Sequence, residues 1–512
     1  MASLLLYSSN KNAKDYLFLF ACMLSAVPIW LSTYLPMLDL PFHAYQISSF
    51  LRLVLGTEFF ASILKINWFM PYWLGYLSAA ILALFMPIAI AIKIVLSCAM
   101  VATPWFASRL RALVSNDNSL DWLFLPVIYS FAFQNGLFNF IVSIPLVLFF
   151  LREAILYFSD PGAKFKSGVW IVFLSHILFF THILALLFSL VIVIPMGLCL
   201  CEDTQRLLKE RSFHYLDKKV FFKFLPFICI LPIILVWMLH IKDTSFHTNI
   251  PAGKISVWII NLYRLLPIMV SATGLLGFFQ LGLIYVLAIF LLPGAKIHKN
   301  WRALPFVILI LGLLLLPATN LETNYIAERL NVFILIFYVF SFDFSQLYTK
   351  VNYYKRVILF ASSSFLILFL NAYQLHLYAK ETKGLKNIFS KMAPHHSVAS
   401  IIDNTDKNQS SAKFDLLIYW YHAEKDGKGT FSLDFPQMIV QYKSDIPYSS
   451  TEDQFHFSNF KWDNNTQKFD YYVIKTSHEK FPAELLLGLQ KYTKLIYHED
   501  SWYLYAKHNI DK

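Results

Sequence analysis

The chain has 512 residues, 57% of them hydrophobic and only 15% charged, with a mean hydropathy of +0.53. These values exclude a soluble globular protein, because apolar runs of bilayer-spanning length, about 17–25 residues each, recur from residue 15 to residue 378. The formal net charge of +11 fits basic cytoplasmic loops. No Arg/Lys block with interleaved aromatics sits on a polar face, so no nucleic-acid partner is indicated.

The first apolar span runs from Asp15 to Leu35, with Lys11 and Lys14 ahead of it. Its apolar core is longer than the 7–15 residues of a signal-peptide core, so it reads as a retained anchor with a cytoplasmic N-terminus. It leads into Pro36-Met-Leu-Asp39-Leu-Pro41-Phe-His43, the start of a first outer loop over residues 36–70. Pro41 suits the first turn of a helix, where its missing N–H costs nothing. Asp39 therefore lies at an N-cap, and a short amphipathic helix follows from His43 to Leu55. His43 is four residues after Asp39 and shares its face. An acid and an imidazole at a membrane surface can deprotonate a hydroxyl or bind a metal ion; alternatively, Asp39 only caps the helix.

The remaining loop carries Glu58, Lys65 and Trp68. Residues 71–106 and 168–201 are apolar runs that read either as one long span or as two short ones, and exactly one of them should be split. Residues 122–134 and 137–157 read as spans around the turn Gln134-Asn135-Gly136. His176 and His182 fall on different faces of one helix, which disfavours a shared metal site and makes each a hydrogen-bonded core histidine first. The basic stretch 202–223 is expected in the cytoplasm. From there residues 224–241 run outward, an amphipathic stretch 256–266 with Arg264 lies along the interface, and 272–293 return. Residues 303–317 go out, a loop with Glu322, Glu328 and Arg329 follows, 330–343 come back and 357–376 go out again. Both parses give about 11 crossings, with the N-terminus inside and the C-terminus outside.

The expected fold is thus an α-helical polytopic membrane protein, residues 1–378, followed by an extracytoplasmic α/β domain, residues 379–512. In that tail Lys413–Tyr421 and Phe469–Lys475 read as strands, Phe481–Tyr492 as a helix, and 494–507 as a hairpin turning at 498–501. All five cysteines lie in apolar spans, so the tail holds together without disulfides.

Asp39 in the first outer loop, the helix after it, the Glu328-Arg329-Leu330 helix start, the many spans and the outer-face tail together resemble the membrane-embedded GT-C glycosyltransferases. The resemblance implies a polyprenyl-phosphate sugar donor, a glycan, lipid or protein acceptor, and a setting among membrane lipids, that of a bacterial inner membrane. It implies that Asp39 is the catalytic residue, read here as the general base, and that Arg329 contacts the donor phosphate; His43, by its spacing, is the candidate that assists Asp39. Glu328, Arg264 and Lys65 are further candidates for binding substrate. No Asp-x-Asp stands near Asp39, so a divalent metal ion is possible without being specified. A transporter or lipid flippase, or a non-catalytic assembly protein, is the alternative.

Overall fold

The structure is a computed structural model that describes residues 13–160, 162, 165–201, 218–243, 296–297, 301–316, 319–320, 323–324, 326–344, 351–404, 411–427, 438–443, 454–478 and 481–508. The readings of 202–217, 256–266 and 272–293, and with them Arg264, lie outside the described residues, as does Glu322. Among the described residues six helical stretches are long and apolar enough to cross a membrane: Lys14–Leu31, Ile88–Arg111, Phe138–Ser159, Ile183–Leu200, Val220–His240 and Tyr353–Ser390. This is an integral membrane protein.

In chain order, the helices used below are α1 (Ala13–Ser25), α2 (Leu40–Val54), α3 (Trp73–Ala83), α4 (Ile88–Arg111), α5 (Phe138–Ser159), α6 (Phe165–Thr181), α7 (Ile183–Leu200), α8 (Leu304–Leu315), α9 (Ile334–Ser341), α10 (Tyr353–Glu381), α11 (Ile418–Lys425) and α12 (Ala483–Tyr492). Both long apolar runs break, where the sequence reading allowed only one to do so. Residues 71–106 divide into α3 and α4 at 84–87, where Pro87 has no N–H to continue the helix. Residues 168–201 divide at His182, whose backbone is extended at φ −166° and ψ 113°. Residues 122–134 are not a spanning helix. They form a 3-10 turn, Ser119–Phe124, and one helical turn, Phe131–Gln134. Asp121, buried in that segment, takes a two-point hydrogen bond from Arg111.

The chain divides into two compact units. The first comprises residues 1–28, 96–133 and 139–372. Its interior is aromatic: Phe188 of α7 packs on Phe333 and Phe337, whose rings stack at 5.4 Å. Two buried guanidiniums tie its loops. Arg111 holds Asp121, and Arg356 holds Asp117 and, at 3.2 Å, the Ser119 hydroxyl.

The second unit joins residues 29–95 and 134–138 to the tail, 373–512. The tail carries a five-stranded sheet. Counting β1 as Leu64–Ile66, its later strands are β2 (Val398–Ile402), β3 (Val440–Tyr442), β4 (Gln454–His456), β5 (Tyr471–Lys475), β6 (Thr493–Glu499) and β7 (Trp502–Lys507). The sheet order is β6-β7-β5-β2-β4, with β2 parallel to both β4 and β5. β2 and β5 are buried throughout. Their inner side chains Ala399, Ile401, Tyr472 and Ile474 pack on Leu485 and Leu489 of α12. The strand over Phe469–Lys475, the helix over Phe481–Tyr492 and the 494–507 hairpin are present, and the hairpin turns with Asp500 at φ 52°.

Residues 413–421 are not a strand. They lead into α11. Every side chain from Leu417 to Ala423 is buried, so the stretch carries neither helical nor strand alternation. What buries it includes α2. Phe42 meets the Tyr419 ring edge-on at 5.6 Å, the Ser48 hydroxyl donates to Ala423 O at 2.7 Å, and Arg52 pairs with Asp426 at 2.8 Å. Gln46 bonds both backbone polar groups of Val440, and β1 pairs antiparallel with β3. The expected amphipathic helix therefore exists over Leu40–Val54, but its residues from Leu40 to Phe50 are buried except His43.

Candidate active site

Asp39 is held by its backbone. Leu38 N donates to Gln134 O at 3.0 Å, and Asp39 N donates to Asn135 O at 3.1 Å. The turn that supplies these carbonyls ends in Gly136, at φ +72°. A Cβ there would lie 2.7 Å from the backbone nitrogens of both Asp39 and Leu40, so only glycine lets the two segments approach this closely. Pro41 stands in the first turn of α2, as expected. The Asp39 side chain makes no capping hydrogen bond; the helix start is secured instead by Asp39 O, which accepts from His43 N at 3.0 Å. The capping reading of this carboxylate is not what the structure shows.

His43 is the half-buried residue in the otherwise buried first three turns of α2. Its Nδ1 lies 2.6 Å from the hydroxyl of Tyr76 on α3. Phe138 lies 6.1 Å from the imidazole, ring centre to ring centre, and 6.2 Å from the Tyr76 ring. Lys65 sits on β1 opposite Gln441 with its side chain exposed.

The other candidates lie in the first unit. Glu328 and Arg329 end a single helical turn, Ile326–Arg329, with Glu328 buried and Arg329 half-buried. Arg329 Nη1 lies 3.2 Å from His182 Nε2. His182 is buried at the break between α6 and α7, with the Phe140 ring edge-on at 5.2 Å. Sequence reasoning treated His182 as a core histidine and did not single out Tyr76. The signal for His182 was present, as an ionisable side chain inside an apolar run; Tyr76 left none.

Burial dominates the electrostatics. Asp121 is pushed up to about 6, because loss of solvent outweighs the opposing pull of Arg111. In the tail, His422 is pushed down to about 3 by burial, with the rings of Tyr45, Tyr419 and Tyr421 within 6 Å.

Asp39 and His43 are two of the ligands a divalent cation would need. Among the described residues no group of three or more His, Cys, Asp or Glu is placed to hold a metal ion. Chemically, the start of α2 presents a carboxylate and an imidazole, groups suited to accepting a proton. The Ile326–Arg329 turn presents a guanidinium, suited to a phosphate.

No protein-family model matches the chain, and no curated protein does. Among solved structures, the crystal structure of ArnT from Cupriavidus metallidurans bound to undecaprenyl phosphate matches with a TM-score of 0.52 and 9% identity, over 98% of this chain and 100% of that one. The likeness spans both units and the tail, so the fold is GT-C-like, as the sequence resemblance implied.

Proposed function

We propose that this protein is a membrane glycosyltransferase that moves a sugar from a polyprenyl-phosphate donor to an acceptor on the non-cytoplasmic face. In this reading Asp39 takes the proton of the acceptor hydroxyl as that oxygen bonds the anomeric carbon. The bond from that carbon to the phosphate oxygen breaks, and its electron pair leaves with the lipid phosphate. Arg329 holds the phosphate, where negative charge develops. Glu328 and Lys65 are secondary contacts, and His43 assists Asp39. The N-terminus is cytoplasmic, residues 379–512 are outside, and the membrane is a bacterial inner membrane.

The observation that carries the reading is Asp39 itself. On a GT-C-like fold, an acid just beyond the first span is fixed by two backbone hydrogen bonds, with its carboxylate making no capping bond. The donor class is inferred from fold likeness to a protein crystallised with undecaprenyl phosphate.

Native mass spectrometry of the detergent-purified chain tests the donor class. A polyprenyl-phosphate sugar carried through purification, or taken up when added, supports the reading. Binding of ordinary phospholipids alone at equal occupancy counts against it. The helix breaks at 84–87 and at His182 also suit a lipid transporter. Translocation of the lipid in proteoliposomes without any sugar transfer would favour that second reading.

A further inference from the structure

In the tail's sheet, β4, β2 and β5 lie side by side and parallel, so their carboxyl ends gather at one edge. The segments that leave this edge go to opposite faces. α12, after β5, packs on Tyr472 and Ile474, whereas Phe414, after β2, meets Trp502 of the other face edge-on at 6.2 Å. Ligands of open α/β sheets sit in the crevice where such connections diverge. His456, Ile402 and Lys475 are register partners and form the last row on the Phe414 face. With strands about 4.8 Å apart, the backbones of His456 and Lys475 stand about 10 Å from one another.

Four side chains along this edge have bonding capacity left over. Lys475 is 6% exposed, and its ammonium lies 4.1 Å from the centre of the Phe414 ring. No hydrogen bond from it is found among the described residues, and the carboxylate that acts on it most strongly, that of Glu381, is paired with Lys413 at 3.0 Å. Burial lowers the Lys475 pKa from the ordinary lysine value despite that carboxylate. Asp415 Oδ1 is buried without a hydrogen bond, 3.7 Å from His456 Nε2. His456 Nδ1 and Asn404 Oδ1 are likewise buried without one. Asn404 is held by its other end, Nδ2 donating to Ser458 Oγ at 2.8 Å. Buried polar groups seldom go unmatched, so several at one edge mark a place that a ligand completes. The ammonium asks for an anion, and the carboxylate and amide oxygens ask for hydroxyl donors.

We propose that the carboxyl edge of β4, β2 and β5 is a binding site for an acidic saccharide, whose carboxylate or phosphate is held by Lys475 and whose hydroxyls donate to Asp415 and Asn404. The span from His456 to Lys475 suits a disaccharide. That this saccharide is the acceptor rests on the glycosyl-transfer reading; its binding does not.

The test is saturation-transfer NMR on the full-length chain, purified in an amine-oxide detergent that carries no sugar. Glucuronate, glucose 6-phosphate and neutral glucose are the probes, each at the same millimolar concentration. At least one acidic probe is expected to give a signal several-fold above that of glucose, and which one does so tells carboxylate from phosphate. Lys475→Met keeps the packing on Phe414 and removes the charge, and should lower the affinity for that probe about tenfold. Asn404→Ala, which changes an exposed hydrogen bond, should weaken the same signal and decides the matter if Lys475→Met does not fold. Acidic probes no better bound than glucose, or an acidic-probe signal undiminished in the folded variants, would overturn the site. The two readings fail separately: acidic-saccharide binding that depends on Lys475 supports the site even where no transfer is found, and transfer without such binding overturns the site alone.

Discussion

Arg329 Nη1 lies 3.2 Å from Nε2 of His182, across 147 residues of sequence. A guanidinium can only donate, so Nε2 must present its lone pair and the imidazole must be neutral with its proton on Nδ1. The helix break at His182 and the turn bearing Arg329 therefore form one polar feature inside an apolar unit. Its effect is to fix the direction of the guanidinium fork.

Loss of that bond should appear in donor binding. His182→Ala is expected to weaken binding of a polyprenyl-phosphate donor roughly tenfold to a hundredfold, as suits a hydrogen bond to a charged group of about 1.5–3 kcal/mol. His182→Gln offers an acceptor near Nε2 and should recover part of it. Arg329→Lys should behave like His182→Ala, since the charge remains but the fork is lost. Donor titration by tryptophan fluorescence or native mass spectrometry reads all three.

Gly136→Ala tests the cradle beneath Asp39. Alanine at φ +72° costs about 1–2 kcal/mol in backbone strain alone, and its Cβ meets two backbone nitrogens that cannot swing aside as a side chain would. The expected result is a lower melting temperature together with a loss of transfer larger than the loss of folded protein. Unaltered melting and transfer would mean that the turn tolerates displacement and does not set the position of Asp39.

The bonds between α2 and the tail should differ in strength. Gln46 is fully buried and bonds both polar groups of Val440, so Gln46→Ala leaves two buried backbone groups without that partner, each worth about 1–3 kcal/mol. Arg52 pairs with Asp426 with 38% of its side chain exposed, where an ion pair contributes about 0–1 kcal/mol. A clear melting shift in Gln46→Ala beside a small one in Arg52→Ala is predicted. Equal shifts would contradict the ranking.

Much of this architecture was legible in the sequence. The apolar runs, the Asp39-x-Pro41 helix start and the tail's 494–507 hairpin are local signals, and the chain follows them. The 413–421 stretch was not legible, because a segment buried on every side carries no periodicity. Nor was the union of the 29–95 segment with the tail, which depends on pairings such as Gln46 with Val440 that lie 394 residues apart. Asp39 was readable as an acid beyond a span. That its carboxylate would not cap α2, and that Tyr76 would meet His43, needed coordinates.

Acid should loosen the tail through His422. Its ordinary value near 6.5 falls to about 3 in the folded chain, so the unfolded chain binds a proton that the folded one excludes across that window. Stability from this residue is fully present above about pH 6.5 and is lost as pH falls toward 3, by about 3–5 kcal/mol in total. Melting curves from pH 7.5 to pH 4 should fall less steeply in His422→Gln than in the wild type. Parallel curves would show that His422 does not titrate on unfolding.

The most direct test is the rate of sugar transfer by Asp39→Asn. Asparagine preserves the size of the side chain and, because the helix start rests on backbone bonds, should leave α2 intact. Removing a general base typically costs about 10²–10⁴-fold in rate. Using a labelled polyprenyl-phosphate sugar and purified protein, the account predicts wild-type expression and melting with transfer reduced by at least about a hundredfold. Transfer by Asp39→Asn at the wild-type rate would contradict the assignment of Asp39 as the base.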